Sequence, residues 1–413
     1  MTQLKADTPS SGDLPDFLAS VIDIDSHEMI PSYFWNQEFG DVADVLLPLT
    51  DGILGNAGAN TMLRDDITSD LVEITDDNVR NMKGPQAPAA IDFNRRPDVL
   101  NAMGVARQLV FPSFGLIGMS LRYNENAADF FKFDPANFDR FDVGRRVIQA
   151  SNQWAARVMK TVDAESVRPV GLLMTDSLDQ MMRDAEEALS GGIVAFWISG
   201  STPPAGTSPA DPALDPFWDL MARSNTAVTL HLGTEFGLLK DTRWTANVAQ
   251  FASSSTETVE FNLEPYRCAT LHLQNDNFLT TMVLGGVFER HPDLRFGVIE
   301  CSGHWVGPLA DQLDVWHGQF RRRLDAHLSM RPSDYIARNV RVTPFHFEPV
   351  DEYIEKYPKM ESVYCYSSDY PHIEGGRESV RTFYNKLRRL GDEVAQRFFV
   401  DNGELLLPAS NNN

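Results

Sequence analysis

The chain alternates short runs of β-branched and aromatic residues with longer amphipathic segments along almost its whole length. Such alternation is typical of repeated strand–helix units, in which helices cover a parallel sheet. We find eight such runs, at residues 20–25, 106–112, 168–174, 193–198, 227–232, 295–300, 340–344 and 362–367. Segments long enough for crossover helices lie between them, for example at 145–162, 177–189, 212–223, 269–290 and 377–390. Eight units favour an α/β fold of the (β/α)8 TIM-barrel type over an open six-stranded sheet.

Two connections are too long to be simple turns. They span residues 28–105, after the first strand, and 234–266, after the fifth. Loops that follow barrel strands rise from the face where active sites lie, so we predict that both are lid insertions. Surface excursions or oligomer contacts are the alternative. We place a flexible N-terminal segment at 1–19, the barrel domain at 20–405 and a disordered tail at 406–413.

The charge and the cysteine content indicate which binding partners and which cellular compartment to expect. Among the 413 residues, Lys and Arg total 36 and Asp and Glu total 58, so the formal net charge is −22. Nucleic acid is therefore not expected as a partner. Three scattered cysteines, Cys268, Cys301 and Cys365, form no disulfide framework or CxxC site. With no signal peptide and no membrane span expected from the sequence, we predict a cytoplasmic protein.

Acidic and histidine side chains stand where three of the predicted strands end. Asp25 and His27 point to the same side of the first strand because strand side chains alternate with a period of two. His231 ends the fifth strand and Asp369 follows the eighth. Each position alone is compatible with a polar turn or a structural histidine. Together they predict a site for Zn²⁺, Mn²⁺ or Fe²⁺ with an open position for water or substrate.

Several motifs in a fixed order now give a resemblance to a known family. They are DIDSHE, GGIVAFWISGSTPPAG with DPALDPFWDLM leading into TLHLG, GGVFERHPDLRFGVIECSGHWV, and SSDYPH. Over residues 20–405 the sequence resembles the amidohydrolase-related family of the metal-dependent amidohydrolase superfamily. The similar branch holds aminocarboxymuconate-semialdehyde decarboxylase and resorcylate-type decarboxylases. The resemblance implies a distorted barrel and one divalent metal ion, Zn, Mn or Fe, at Asp25, His27, His231 and Asp369.

Two positions depart from the family pattern. Many relatives have His-x-His on the first strand, whereas Asp25 takes the first place here and favours Mn²⁺ or Fe²⁺. Where relatives end the sixth strand with an acid/base histidine, this chain has Glu300. A partly buried glutamate can transfer the same proton, or it can bind a second metal ion. The alternative is a structural carboxylate paired with an arginine.

Further candidates surround this predicted centre. His304, four residues after Glu300, either replaces the missing base or lies on a helix surface. Arg267 and His272 flank the second lid, and we predict that they and Trp244 within that lid contact the substrate, with Arg267 gripping a carboxylate. His372 is either a supporting contact for Asp369 or a turn residue.

The sequence predicts a metal-dependent enzyme that hydrolyses or nonoxidatively decarboxylates a small carboxylated, for example aromatic, molecule. Asp369, Glu300 and His304 are the predicted catalytic residues. An iron- or dinuclear-metal oxygenase and a degenerate subunit that supports an active paralogue remain as alternatives. The resemblance also implies a homo-oligomer such as a dimer, and the supporting-subunit alternative would make the protein part of a hetero-oligomer with a paralogue.

Overall fold

The computed structural model describes residues 15–49, 72–234, 242–251 and 265–409. The strands in these ranges form two parallel sheets. The first sheet has the order β1-β3-β2 with β4 beside β3, and the second has the order β5-β6-β7-β8-β9. The strands are β1 (Val21–Asp23), β2 (His27–Glu28), β3 (Val105–Pro112), β4 (Val167–Pro169), β5 (Gly171–Leu172), β6 (Ala195–Trp197), β7 (Ala227–His231), β8 (Arg295–Ile299) and β9 (Val340–Val342).

Helices connect and cover these strands, so the α/β class and the parallel pairing agree with the sequence. The α-helices are Trp35–Phe39, Val42–Leu46, Asp76–Asn81, Arg96–Met103, Ser113–Tyr123, Ala127–Phe131, Arg140–Thr161, Leu178–Ser190, Asp215–Arg223, Pro265–Thr270, Leu273–Leu284, Val287–Arg290, Val306–Gln319, Arg321–Leu324, Pro332–Asn339, Val350–Lys356, Ser379–Leu387 and Asp392–Phe399. Capping side chains fix the residues at which several helices begin. The Asp139 side chain accepts from the first N–H groups of Arg140–Thr161, and Ser177 caps Leu178–Ser190.

The predicted strand at 362–367 needs correction. Residues 362–367 form no strand: the 3₁₀ helix Pro358–Ser362 occupies the start of this segment, and Tyr364 makes an isolated bridge to Val342. The Cys365 N–H still donates to the Val342 carbonyl at 3.0 Å, and the Ile24 N–H donates to the Tyr366 carbonyl at 3.2 Å. The segment therefore makes hydrogen bonds to β9 on one side and to the chain after β1 on the other. Too few of its residues take part to form a strand.

Several residues just outside the predicted boundaries at 20 and 405 are buried. Asp16–Ala19 forms a 3₁₀ helix in which Leu18 is buried, and Leu406 and Leu407 are buried in the core. Burial of these leucines removes apolar surface from water, which holds both ends against the sheet. Residues 1–14 and 410–413 lie outside the described part. No helix in the described ranges is long and apolar enough to cross a membrane.

The two long connections contain more local structure than the sequence indicates. In the first, the described part holds the α-helices Trp35–Phe39, Val42–Leu46, Asp76–Asn81 and Arg96–Met103. In the second, it holds the 3₁₀ turns Thr242–Trp244 and Ala249–Phe251. Residues 50–71, 235–241 and 252–264 fall outside the described residues, so the lid predictions are only partly covered by the structure.

Candidate metal centre

Four of the buried side chains converge at the ends of β2, β7 and β8. Asp25 precedes β2, His27 begins it, His231 ends β7 and Glu300 directly follows β8. Asp25 Oδ1 lies 3.4 Å from His27 Nε2 and 3.2 Å from His231 Nε2. Glu300 Oε2 lies 3.9 Å from His27 Nε2 and 3.6 Å from His231 Nε2. These four groups offer ligand atoms that all lie within 4.8 Å of one another.

A second group of four overlaps the first, sharing His27 and Glu300 and adding Asp369 and His372. Asp369 Oδ1 lies 3.3 Å from His27 Nε2 and 2.8 Å from His372 Nδ1. The His27 and His372 rings stack with centroids 3.8 Å apart. Carboxylate oxygens and imidazole nitrogens therefore surround one small buried volume on several sides.

The chemistry of this donor set fits a divalent metal ion. Asp25 Oδ2, His27 Nε2 and both carboxylate oxygens of Asp369 are buried and make no aligned hydrogen bond among the described residues. Buried polar atoms are normally hydrogen-bonded, because leaving one unsatisfied costs free energy. Mixed nitrogen and oxygen ligands suit Mn²⁺, Fe²⁺ or Zn²⁺. A cation among these atoms would satisfy them together.

The electrostatics of the cluster also favour positive charge. Burial by itself lowers the pKa of His27, but the Asp25 and Asp369 carboxylates beside its ring outweigh burial and raise that pKa to about 9. Burial raises the pKa of Asp369, but the His372 charge and contacts with His27 and His372 bring it below its usual range. The carboxylates thus stabilise a cation at this place, as a metal site requires.

The backbone around two of the acids adopts the left-handed region that non-glycine residues seldom occupy. Glu300 has φ 55°, Ser302 has φ 65° and Asp369 has φ 52°. The Glu300 N–H donates to Thr343 Oγ1 at 2.8 Å, and the Asp369 N–H donates to the Asp25 carbonyl at 2.8 Å. Strained residues of this kind persist only where their surroundings hold them, and they concentrate at functional sites.

A buried polar network holds the first and last acidic segments together. The Asp23 carboxylate accepts from the Ser368 N–H at 2.8 Å and from Gln108 Nε2 at 2.6 Å. Arg96 Nε donates to Gln108 Oε1 at 2.9 Å. Arg96 Nη2 donates to the His27 carbonyl at 3.1 Å and to the Tyr370 carbonyl at 3.3 Å. Burial raises the pKa of Asp23 to about 7, against the lowering effect of its hydrogen bonds.

Glu28, next to His27, accepts a hydrogen bond from the start of a neighbouring helix. Its carboxylate accepts from the Phe114 N–H and from the Ile30 N–H. Phe114 lies in the first turn of Ser113–Tyr123, where a carboxylate complements the helix dipole. Burial raises the pKa of Glu28 to about 7, although both N–H groups act in the opposite direction.

A cavity with an enclosed volume of about 40 Å³ lies beside the cluster, and about 400 Å³ of empty space is counted when the open solvent at its mouth is included. His27, His231, Glu300 and His372 contribute to its lining. The other lining residues are Pro112, Ser113, Leu116, Trp197, Leu232, Gly233 and Arg267. Gly233 has φ +104°, and a Cβ there would lie 2.9 Å from the Leu116 side chain. Apolar walls with a few polar groups are typical of a small-molecule site.

The predicted site residues divide into two sets. The structure brings together Asp25, His27, His231 and Glu300, and joins Asp369 to them through His27 and Glu300. All five are buried. The roles of these residues remain predictions.

The outer candidates lie in different places. Arg267 lines the cavity, whereas Trp244, His272 and His304 are not among its lining residues. Trp244 is 67% exposed. His272 and His304 contact each other with ring centroids 4.7 Å apart, and the exposed His304 also contacts Ser302 Oγ through Nδ1 at 3.0 Å. Burial and the His304 charge lower the pKa of His272 to about 4.

Sequence reasoning missed two residues that line the cavity. His372, predicted as a supporting contact for Asp369 or a turn residue, contacts Asp369 at 2.8 Å and belongs to the second group of possible ligands. Trp197 and Ser113 line the cavity, but they sit at the end of an apolar strand and at a helix start. Such positions look like ordinary core and capping residues in a sequence.

Comparison with known proteins identifies the family. Residues 125–408 match the family described as amidohydrolase. No curated protein matches the sequence.

Solved structures share the fold at low sequence identity. An amidohydrolase from Mycobacterium avium subsp. paratuberculosis K-10 has a TM-score of 0.60 and 15% identity, covering 95% of this chain and 99% of that one. A dihydroxybenzoic acid decarboxylase from Polaromonas sp. JS666, solved with bound manganese and 2-nitroresorcinol, gives 0.57 and 12%, covering 94% and 96%. The 5-carboxyvanillate decarboxylase of Sphingomonas paucimobilis gives 0.53 and 14%, covering 95% and 100%. With the family match over more than half of its length, the chain belongs to the amidohydrolase family and is an enzyme.

Proposed function

We propose that this enzyme is a metal-dependent nonoxidative decarboxylase of a small aromatic acid. The observation that carries the proposal is the buried set of carboxylates and imidazoles beside a mostly apolar cavity. Decarboxylases of 5-carboxyvanillate and dihydroxybenzoate are among the solved structures that share the fold. We further propose that the parallel strands form the distorted (β/α)8 barrel of the family, with residues 28–105 and 234–266 as lids.

Asp25, His27, His231 and Asp369 would hold one divalent ion, with Mn²⁺ preferred. When bound, such an ion supplies positive charge that stabilises the negative charge developing on the substrate. The apolar walls at Pro112, Leu116 and Leu232 exclude water from a flat ring, which strengthens electrostatic interactions in the cavity. Arg267 binds a substrate carboxylate bidentately.

Glu300 is the proposed proton donor. In this reaction the bond between the ring carbon and the carboxylate breaks, CO₂ leaves, and a proton takes its place on the ring. Glu300 lines the cavity, so it can reach a bound ring. Asp369 suits this task less well, because His27 and His372 hold its pKa below the usual range and keep it ionised.

Hydrolysis is the second candidate, and the ionised state of Asp369 favours it. A carboxylate that stays ionised can accept a proton from an attacking water. The same four ligands serve either reaction, so the ligand set does not separate them. The relatives described above are amidohydrolases and decarboxylases, which does not favour the oxygenase alternative.

Metal content and product analysis test the proposal. The purified protein is analysed for metals, loaded with Mn²⁺ and incubated with hydroxylated and methoxylated benzoates while CO₂ release is followed. A parallel assay follows ester and amide hydrolysis. Release of CO₂ that depends on the added metal supports decarboxylation, and hydrolysis without CO₂ supports the second candidate. A chain that takes up no metal and turns over neither class would contradict both and favour the supporting-subunit alternative.

A further inference from the structure

Arg96 is a buried arginine that forms no ion pair with a carboxylate in the part of the chain that the structure describes. It is 0% exposed and begins the helix Arg96–Met103, within the first long connection. Its guanidinium carbon lies 5.2 Å from the centre of the Phe93 ring and 4.7 Å from the centre of the Tyr370 ring. A charge taken out of water without an ionic partner is costly, so the other contacts of Arg96 must compensate that cost.

The hydrogen bonds of Arg96 join segments that carry proposed metal ligands. Its Nη2 bridges the carbonyls of His27 and Tyr370, and the Tyr370 carbonyl also accepts the His27 N–H at 2.7 Å. Its Nε binds the Gln108 side chain on β3. Because Tyr370 directly follows Asp369, one guanidinium group connects the backbone of His27 to the backbone beside Asp369.

The neighbourhood of Arg96 packs around the same tyrosine. Tyr370 belongs to a small buried cluster whose other buried members all come from the first long connection: Val79, Ala87, Ala89 and Val99. The Tyr370 hydroxyl donates to the Pro88 carbonyl at 2.6 Å, and the Gly84 N–H donates to the Pro371 carbonyl at 2.9 Å. Residues 79–103, the docked segment, therefore hold the turn after Asp369 by apolar packing and by hydrogen bonds.

Arg96 can influence the metal centre only through other residues. It is not among the residues that line the cavity beside the cluster, and its donors reach a side-chain amide and two backbone carbonyls. Contacts that orient metal ligands raise metal affinity, and their loss typically costs about 10- to 100-fold. Coupling between two binding events is reciprocal, so a segment that positions the ligands is itself stabilised when the metal binds.

We propose that Arg96 is a positioning residue for the metal centre, and that metal binding and docking of residues 79–103 around Tyr370 stabilise each other. The proposal rests on the metal site of the proposed function and adds a part of the chain that contributes no ligand. It applies equally to decarboxylation and to hydrolysis, because it concerns the placement of His27 and Asp369 and not the reaction.

Metal affinity tests the role of Arg96. Arg96→Met keeps a long side chain between the two rings and removes every donor, so we expect the Kd for Mn²⁺ to rise about 10- to 100-fold in titration calorimetry. Arg96→Lys keeps one charged donor group and should show a smaller rise. This partial rescue by the conservative variant distinguishes lost hydrogen bonds from lost packing.

Arg341 offers a matched control for the removal of a buried arginine. It is 9% exposed and, like Arg96, donates to backbone carbonyls, here those of Asn402, Ala337 and Val340. Arg341→Met should lower stability because these acceptors lose a buried donor, yet keep the Kd for Mn²⁺ within about 2-fold. An equal loss of affinity in Arg341→Met would show that general destabilisation explains the effect, and would overturn the proposal.

Hydrogen exchange tests the reciprocal effect in the unmodified chain. We expect saturating Mn²⁺ to slow exchange in peptides from residues 79–103 by about 10-fold or more relative to the metal-free protein, within the usual range of coupling between sites. The helix Leu178–Ser190 serves as the reference for a general gain in stability and should respond less. In Arg96→Met the response of residues 79–103 should shrink toward that of the reference helix.

The outcomes separate this proposal from the proposed function. Wild-type affinity in Arg96→Met, or exchange in residues 79–103 that responds to Mn²⁺ no more than the reference helix, would overturn the proposal and leave the metal site intact. A chain that binds no Mn²⁺ would overturn both. If Arg96→Met does not fold, the exchange comparison in the unmodified chain and the affinity of Arg96→Lys decide the matter.

Discussion

Among single residues, His231 can act as a metal ligand only if its ring is oriented with the free nitrogen toward the cluster. Its Nδ1–H donates to the Leu232 carbonyl at 2.8 Å, which leaves Nε2 facing Asp25 and Glu300. A hydrogen bond of this kind fixes the tautomer that a metal ligand needs.

We therefore expect His231→Ala to lose most of its bound metal. The loss of affinity should exceed the roughly 10- to 100-fold that removal of an outer-shell partner costs. Elemental analysis after dialysis measures the retained metal. His317→Ala is the control, because His317 on the helix Val306–Gln319 lies 3.2 Å from Asp325, which directly follows the helix Arg321–Leu324. Full occupancy in His231→Ala would remove this residue from the proposed ligand set.

Glu300 is the residue proposed to donate the proton. If Glu300 donates the proton, Glu300→Gln keeps the shape of the side chain and removes the transferable proton. We expect the variant to retain its metal and to lose turnover by about 10²-fold or more. A fall in metal content would instead make Glu300 a ligand. Unchanged metal and unchanged turnover would show that it acts only in the structure.

Glu348 supports the turn that follows Glu300. Its buried carboxylate accepts from the Gly303 N–H at 2.9 Å, from the Phe345 N–H at 2.7 Å and from the Tyr353 hydroxyl at 3.2 Å. Gly303 lies just after Glu300 and Ser302, both at positive φ. Glu348 therefore holds the strained turn against the chain that follows β9.

Glu348→Ala should disturb this turn without touching the metal ligands. Each N–H left buried without a partner should lower the free energy of unfolding by about 1–3 kcal/mol. We expect kcat to fall because Glu300 is mispositioned, and Glu348→Gln to restore part of it through the remaining amide oxygen. Denaturant unfolding and steady-state kinetics measure both effects. Glu352→Ala, an exposed change on the helix Val350–Lys356, is the control. Normal kcat in an unstable Glu348→Ala would limit Glu348 to a structural role.

The helix Leu273–Leu284 carries an acid whose burial gives stability a pH dependence. Burial raises the pKa of Asp276 to about 7, and its Oδ1 makes no hydrogen bond among the described residues. The unfolded chain ionises this group near pH 4 but the folded chain only near pH 7. The contribution of the protonated Asp276 carboxyl to the free energy of unfolding is therefore complete below about pH 4. It is lost as the pH rises to about 7.

Asp276→Asn removes the ionisation in both states. We expect its melting temperature to exceed that of the wild type at pH 8, and the difference to shrink toward pH 4. Thermal unfolding across this range provides the measurement. A constant difference at all pH values would show that Asp276 does not ionise with a raised pKa.

The same elements show why sequence reasoning succeeded at some positions and not at others. The predicted proximity of Asp25 and His27 agrees with the structure, although Asp25 lies between β1 and β2 rather than within a strand. A spacing of two residues is local and can be read directly from the sequence. His372 reaches the cluster through a turn in which Asp369 has φ 52° and its carbonyl accepts the His372 N–H at 2.7 Å. That geometry depends on the hydrogen bond from Asp369 to the Asp25 carbonyl, more than three hundred residues away in sequence. Periodicity carries no information on such a contact.

At the scale of the whole molecule, the net charge of −22 acts on every substrate that approaches. An aromatic acid is an anion at neutral pH, so the summed field of the protein repels it at long range. Arg267 in the cavity attracts the same carboxylate, but only at short range. Salt screens the two effects unequally. The Debye length falls from about 30 Å at 0.01 M to about 8 Å at 0.15 M, which removes long-range repulsion and largely spares a contact within the cavity.

We therefore expect kcat/KM for an aromatic acid to rise with salt, by up to about 10-fold between 0.01 M and 0.15 M KCl, while kcat changes little. The reason is that repulsion acts on the approach of the substrate and not on the bound state. Steady-state kinetics over this range, at constant metal occupancy, measure the effect. Sucrose at matched osmolality is the control, since it adds no ions and should leave kcat/KM unchanged apart from viscosity. A kcat/KM that falls with added salt would mean that Arg267 and a bound cation dominate the field along the entry path, so that the local charge of the cavity outweighs the charge of the whole protein.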